Sequence, residues 1–147
     1  MPRQTIALAH ADASFLVEHS VQSANEMGFA ITAAVFDASG TVSALLRMDG
    51  AKLVSVGVAE GKAWTSALYQ RPSGDYGVTT APGNIAFGLQ NAFPGKLVTI
   101  MGGQPILVDG ICIGGIGVSG GTAEQDDEIA RAAVAAFMQS LAAQRTA

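Results

Sequence analysis

The chain has 147 residues and a formal net charge of −4, with 49% hydrophobic and only 14% charged residues. A typical globular protein is about one quarter charged, so this small chain carries more apolar material than its own surface can readily hide. Its eight basic residues are scattered, which argues against nucleic-acid binding, and no apolar run reaches the ~20 residues that cross a membrane.

These totals predict a single domain over residues 1–147 that assembles into a homo-oligomer, with part of its apolar surface buried between subunits. The first residues lack the apolar core of a secretion signal. The only cysteine, Cys112, can form no internal disulfide and lies in an apolar stretch. We therefore expect a reducing, cytoplasmic setting, with Cys112 as a small core residue.

The first half of the chain predicts a helix, a β-hairpin and a second helix. Apolar residues at helical spacing indicate a helix over 5–27, in which 5–11 is either the first part of that helix or a separate strand-like or helical entry. β-branched and aromatic residues favour strands at 29–37 and 41–48, joined by a tight turn that contains a glycine. A second helix follows at about 55–69. This half therefore supplies two paired strands between two helices.

The second half predicts a loop, a short helix, three strands and a long helix. The loop, rich in Pro, Ser, Gly and Thr, covers 72–84, and a short helix is expected at 84–92. Three apolar strands, separated by glycine-containing turns, follow at 97–101, 106–108 and 111–118. Thr122 and Gln125 have the spacing of a capping box, which begins a helix running to about residue 143. Adjacent hairpins with covering helices indicate an α+β fold with an antiparallel sheet.

Seven short motifs are individually weak, but their order and spacing are specific. They are Asp37-x-x-Gly40, Arg47-Met48-Asp49-Gly50-Ala51, Lys62-Ala63-x-Thr65, Gly102-Gly103-x-Pro105-Ile106, Asp109-Gly110, Gly114-x-Ile116-Gly117-Val118-Ser119-Gly120 and Gln125-Asp126. Over about residues 12–137 the chain resembles the GlcG/HbpS family of small haem-binding proteins, which includes the C-terminal domain of PduO-type proteins. The resemblance implies a profilin-like α+β fold with a five-stranded antiparallel sheet, assembly into oligomers, and haem or tetrapyrrole binding in some members.

Haem needs one or two axial ligands, and histidine is the usual one. The chain has two histidines, His10 and His19. On ideal helical geometry His19 lies about 100° from the centre of the apolar stripe of the first helix, and family members that ligate haem through a histidine can use one on this helix. His19 is therefore the candidate axial ligand, and the alternative is a half-exposed surface imidazole.

Five positions are candidates for binding an anion such as a haem propionate. Lys62 supplies an ammonium in the interior of the second helix, although a lysine there can also extend to solvent. Arg47, at a strand end, suits bidentate contact with a carboxylate, and Arg71 lies in a loop that can close over an anion. Gly102 and Gly103 either present free backbone N–H groups to an oxyanion or form a tight connection between strands.

A second hypothesis is an enzyme that acts on a small carboxylate-bearing metabolite by proton transfer, isomerisation or lyase chemistry. A desolvated Lys62 can act as a base or a Schiff-base amine, and Glu60 and Asp49 are further candidate bases. Asp49 also has a plain structural alternative, an ion pair with Arg47. Both hypotheses place Lys62, the Gly102–Gly103 bend and Arg47 around one cavity, completed by a neighbouring subunit.

Overall fold

A computed structural model describes all 147 residues and shows three long helices packed on a four-stranded antiparallel sheet. The elements are α1 (His10–Met27), β1 (Thr32–Asp37), β2 (Val42–Arg47), α2 (Ser55–Tyr69), β3 (Gly103–Val108), β4 (Ile111–Ser119) and α3 (Ala123–Thr146), with short 3₁₀ turns at Ser73–Tyr76 and Leu89–Ala92. The strand order is β2-β1-β4-β3, so β2 and β3 form the two edges. The α+β class is confirmed.

Helices cover both faces of the sheet. α2 packs on one face, against β4, β1 and β3, while α1 and α3 lie side by side on the other. The main core lies between the sheet and this helix pair, and includes Leu16, Val35, Ile106, Ile116, Val118, Ile129 and Phe137. None of the helices combines the length and apolar content that crossing a bilayer requires.

On the face of the sheet that α2 covers, helix and sheet approach each other closely. A Cβ on Gly115 would lie 2.5 Å from Ser66 Oγ and 2.6 Å from the carbonyl oxygen of Ala63. A Cβ on Gly117 would collide with the carbonyl oxygen of Ala59. Glycine in β4 is therefore required because the backbone of α2 occupies the space where side chains would stand.

The prediction of five strands is wrong, because residues 97–101 form no strand. This segment lies along the outer side of α2 instead. The N–H of Val98 donates to Thr65 Oγ1 (2.9 Å), and Leu97 is buried. The start of 97–101 thus packs against a helix, with Val98 next to Gly61 of α2, whereas Ile100 and Met101 are exposed. The N–H of Val98, which a sheet would pair with a neighbouring strand, is satisfied by a side chain of α2.

Helix boundaries follow from capping. α1 begins at His10, five residues later than the predicted start at residue 5. At this observed start, the Asp12 carboxylate accepts a hydrogen bond from the N–H of Ala9 (3.1 Å). The predicted capping box of α3 is present: Gln125 N–H donates to Thr122 Oγ1 (3.1 Å), and Thr122 N–H donates to Gln125 Oε1 (2.9 Å). These reciprocal bonds fix the start of α3 beside the end of β4.

Candidate functional site

Lys62 is almost fully buried, with 1% of its surface exposed. Its ammonium donates to Asp126 Oδ2 (3.0 Å) and to the carbonyl oxygen of Val118 (2.8 Å). Asp126 is also buried, and its second oxygen accepts from the N–H of Gly121 (2.8 Å). The charge of Lys62 is therefore paired inside the protein, and the pair joins α2 to the first turn of α3 past the end of the sheet.

The diglycine bend makes room for this ion pair. A Cβ on Gly102 would lie 2.7 Å from Lys62 Nζ and 2.9 Å from Asp126 Cβ, and its φ of +118° also favours glycine. The N–H of Gly103 donates to Ser73 Oγ (2.9 Å), which leaves it unavailable to a ligand. The structure thus brings Lys62, Gly102 and Gly103 together, and the space against their backbone is filled by Lys62 itself.

The two arginines lie apart from this ion pair. Arg47 ends β2 with an exposed side chain, opposite Thr32 in the register, and it takes part in no ion pair, not even with Asp49. Arg71 is exposed just after α2, with Nε 3.9 Å from Asp75 Oδ2. An exposed pair at that distance contributes little to stability. The single cavity shared by Lys62, the glycines and Arg47 is absent from this chain.

The three residues of the enzyme hypothesis lie in three different environments. Lys62 is sealed in its ion pair, and Asp49 is exposed in the turn after β2. Glu60 is half-buried and lines a separate cleft with Trp64 and Lys96. Because residues two apart on a helix point in different directions, Glu60 and Lys62 do not face one another.

His19 lies on the opposite face of the sheet from the glycine-rich motifs. It is half-buried on α1, with its ring 6.2 Å from the ring of Phe15, which in turn lies 6.4 Å from the ring of Phe137 on α3. Its Nδ1 is buried and has no hydrogen-bond partner. His19 therefore sits on the side of α1 that faces α3, with an imidazole that the fold leaves unpaired.

The junction between α1 and α3, which we call the α1/α3 groove, contains two cavities. One, of about 140 Å³, is lined by Ala11, Asp12, Phe15, Phe137, Ser140, Leu141 and Gln144. The other, of about 220 Å³, is lined by Ser23, Glu26, Met27, Glu128, Ile129 and Ala132. His19 lies one helical turn from Phe15 and one from Ser23, so it stands between the two cavities along α1.

Cys112 does not add a reactive group. It is half-buried, and its Sγ donates to the carbonyl oxygen of Gly114 (3.2 Å). Burial raises the pKa of the Cys112 thiol, so it stays protonated at neutral pH. Cys112 therefore packs as a small side chain between β4 and α2.

Sequence patterns did not identify Asp126, Ser73, Trp64 and Lys96. For Asp126 a signal was available, because a lysine at a motif position inside an apolar helix needs a counter-charge, and Asp126 belongs to the last motif. Asp126 also stands in the first turn of a helix, where a carboxylate is favoured by the helix dipole alone, so its position did not by itself point to Lys62. Nothing in the local sequence places Trp64 and Lys96 together, since they meet only when the 93–98 segment folds over α2.

A family model described as haem degrading protein HbpS-like matches residues 8–135. Corrinoid adenosyltransferase PduO of Salmonella typhimurium is 37% identical over 132 residues, which make up 90% of this chain and 39% of that protein. The crystal structure of a PduOC:haem complex has a TM-score of 0.85 at 37% identity, covering 89% of this chain and 95% of the other. Klebsiella pneumoniae protein ORFY has a TM-score of 0.89 at 28% identity, covering 92% and 94%. The chain thus spans about two fifths of the PduO relative and nearly all of both solved structures.

Proposed function

The chain belongs to the HbpS-like family, as its motifs indicated, and on that basis we propose that it binds haem or a related tetrapyrrole, with His19 as an axial ligand to the iron. A relative that matches nearly the whole chain at 37% identity was crystallised as a haem complex. The observation that carries the proposal is the position of His19, unpaired in the α1/α3 groove.

The residues around His19 fit a haem group. Neither imidazole nitrogen takes part in a hydrogen bond, and only Nδ1 is buried, so Nε2 is free to bind a metal ion. Phe15 and Met27, both partly exposed, and Phe137 offer apolar and polarisable surface of the kind that cofactor sites use. Haem held there would supply an iron centre whose reactivity depends on the axial ligand.

The size of the cavities favours binding along an open surface. The two cavities of the α1/α3 groove, about 140 and 220 Å³, are each smaller than the roughly 300–1,000 Å³ of typical ligand pockets. A macrocycle at His19 would therefore lie across the groove and remain partly uncovered in one protomer.

We also propose that the protein is a homo-oligomer. The loop after α2 carries Val78, Ile85 and Phe87, whose side chains are 65–98% exposed. Large apolar side chains clustered in one exposed loop are typical of an interaction surface. Sedimentation velocity, with and without haem, measures the number of copies directly.

The test is a haemin titration of the wild type, His19→Ala and His10→Ala, followed in the Soret region. His10 is the matched control, because it is the other histidine of α1 and is exposed at its first position. We expect the wild type and His10→Ala to show the same saturable Soret shift. His19→Ala should bind at least about tenfold more weakly, since losing even a group that merely supports a ligand costs that much.

Two outcomes contradict parts of this proposal. A Soret spectrum that is identical in the wild type and His19→Ala removes His19 from the axial position. The absence of any saturable shift in the wild type removes haem binding altogether. Circular dichroism of each variant shows that the helices are intact.

A further inference from the structure

A second cleft lies on the other face of the sheet, between α2, the turn of the β1–β2 hairpin and the 93–96 segment. Its volume is about 180 Å³. The lining residues are Phe36, Gly40, Glu60, Gly61, Trp64, Gly95 and Lys96. We call it the Trp64 cleft. No residue of the α1/α3 groove contributes to it, so it is separate from the haem site proposed above.

The aromatic wall of the Trp64 cleft is held in place from several sides. The Trp64 ring packs against Phe93, with centroids 5.2 Å apart, and the Lys96 ammonium lies 5.9 Å from the Trp64 ring centre. A Cβ on Gly40 would lie 2.9 Å from Trp64 Nε1, and Gly40 has a φ of +80°. The hairpin turn thus closes tightly on the indole, which presents a fixed apolar surface and an N–H with no acceptor in the protein.

The cleft also carries two opposite charges that do not neutralise one another. Glu60 and Lys96 line the same cleft, yet they are not within 4 Å and neither belongs to the four ion pairs of the chain. Neither side chain has a hydrogen-bond partner, and the only polar contact of Lys96 is its position over the indole. A carboxylate and an ammonium, neither of them in an ion pair, are therefore available in a cleft that also contains an aromatic ring.

We propose that the Trp64 cleft binds a small zwitterion with an apolar body, of the α-amino acid class. The carboxylate of the ligand contacts Lys96 and the indole N–H of Trp64, its ammonium contacts Glu60, and its apolar part rests on the rings of Trp64 and Phe36. Charge-assisted contacts at both ends select a molecule with both charges over one with a single charge. At about 180 Å³ the cleft is below the range of drug-sized ligand pockets, so it can enclose only a small metabolite.

The chain contains its own reporter for this site. Trp64 is the only tryptophan, so the emission of the protein excited at wavelengths selective for tryptophan comes from the cleft alone. L-Phenylalanine is compared with two analogues that each lack one of its charges: 3-phenylpropionate, which lacks the ammonium, and phenethylamine, which lacks the carboxylate. We expect a saturable change in Trp64 emission with L-phenylalanine, and binding about tenfold weaker or worse for each single-charge analogue.

The variants Glu60→Gln and Lys96→Met assign the two contacts. Glu60→Gln should remove the preference for L-phenylalanine over 3-phenylpropionate, while Lys96→Met should remove the preference over phenethylamine. Lys52→Met, which removes an exposed charge before α2, should bind as the wild type does. All three side chains are at least partly exposed, so the variants should fold.

Two results would overturn the proposal. One is equal affinity of the wild type for L-phenylalanine and 3-phenylpropionate, which gives Glu60 no part in binding. The other is no saturable change in Trp64 emission with any of the three probes. Haemin binding by His19 is a separate readout, so either proposal can fail while the other stands.

Discussion

The two faces of the sheet use their side chains in opposite ways. On the α2 face, small residues and glycines bring helix and sheet into close contact, and the one buried lysine is paired with Asp126. On the α1/α3 face, large apolar side chains leave two cavities, and one imidazole has no partner. The space around Lys62 and the glycines of β4 is therefore filled by the protein itself, while the α1/α3 face leaves an imidazole without a partner.

The two ends of α3 show the same contrast. Its first turn is joined to α2 by the Lys62–Asp126 pair, with side chains 2% and 4% exposed. Its last turn is joined to the β3–β4 turn by Arg145 and Asp109, whose side chains are 53% and 65% exposed. Both are ion pairs of similar length, but water screens only the second. Substitutions at the two ends therefore separate the effect of burial from the effect of charge.

The largest effect is expected for Lys62→Met. Methionine keeps most of the volume but leaves the carboxylate of Asp126 buried without its counter-charge, which costs about 3–5 kcal/mol of unfolding free energy. Urea denaturation measures the loss. The double variant Lys62→Met/Asp126→Asn should be more stable than Lys62→Met alone, because the uncompensated charge is gone.

The control is Arg131→Met, which breaks the pair between the exposed Arg131 and the largely buried Asp127 on α3. The Arg131 side chain is 63% exposed, and Asp127 keeps the hydrogen bond that Gln104 Nε2 donates to it, so we expect a loss of about 1 kcal/mol, well below that of Lys62→Met. Equal destabilisation by Lys62→Met and Arg131→Met would show that burial of the Lys62 pair is unimportant.

A smaller but still large loss is expected for Gly117→Ala, which tests the close contact between β4 and α2. The new methyl group would meet the carbonyl oxygen of Ala59 and the backbone nitrogen of Ala63. Because backbone atoms cannot move aside as a flexible side chain does, we expect a loss near 3 kcal/mol, roughly at the upper end for overpacking. Thermal and urea unfolding measure it.

Gly57→Ala is the control with the opposite sign. Gly57 lies in α2 without a left-handed backbone, and a methyl group added there would meet no side chain and no other element within 4 Å. Alanine there should stabilise the protein by about 0.5–1 kcal/mol, because glycine is a poor helix former. A Gly117→Ala variant as stable as the wild type would contradict the helix-to-sheet contact described for β4.

The sequence predicted most of the fold because its signals are local. The strands at 106–108 and 111–118 and the capping box at Thr122 follow from apolar runs, turn glycines and cap spacing. The prediction of a strand at 97–101 failed for a physical reason. Val98 packs on α2 while Ile100 and Met101 are exposed, and apolar content alone does not distinguish a strand from an extended segment laid along a helix.

The candidate site was harder to predict, because it depends on which side chains fill the space beside the glycine backbone. The motifs placed Lys62 beside Gly102, which the structure also does, but they left open which carboxylate takes the ammonium, and the structure shows that it is Asp126. The bare glycine backbone suggested room for a ligand, yet α2 occupies that room. His19 remains the proposed iron ligand, and its open position beside Phe15 depends on how α1 and α3 pack.

The smallest effect is expected at the far end of α3, where the Arg145 guanidinium makes two hydrogen bonds to the Asp109 carboxylate, 2.9 and 3.2 Å long. These bonds, and the positive charge of Arg145, hold the pKa of Asp109 below its usual value. Arg145→Gln should therefore raise the pKa of Asp109 toward that of a free aspartate, which carbon NMR of the carboxyl group measures directly.

The sign of the pH dependence follows from the lowered pKa. The contact is fully present above the pKa of Asp109 in the unfolded chain, and it is lost as the pH falls through the lower pKa of the folded state. Amide exchange in the last turn of α3 should accordingly be faster in Arg145→Gln than in the wild type at neutral pH, and the difference should shrink in high salt, because the pair is exposed. If the pKa of Asp109 is the same in both proteins, the contact with Arg145 does not persist in solution, and α3 is held at its buried end alone.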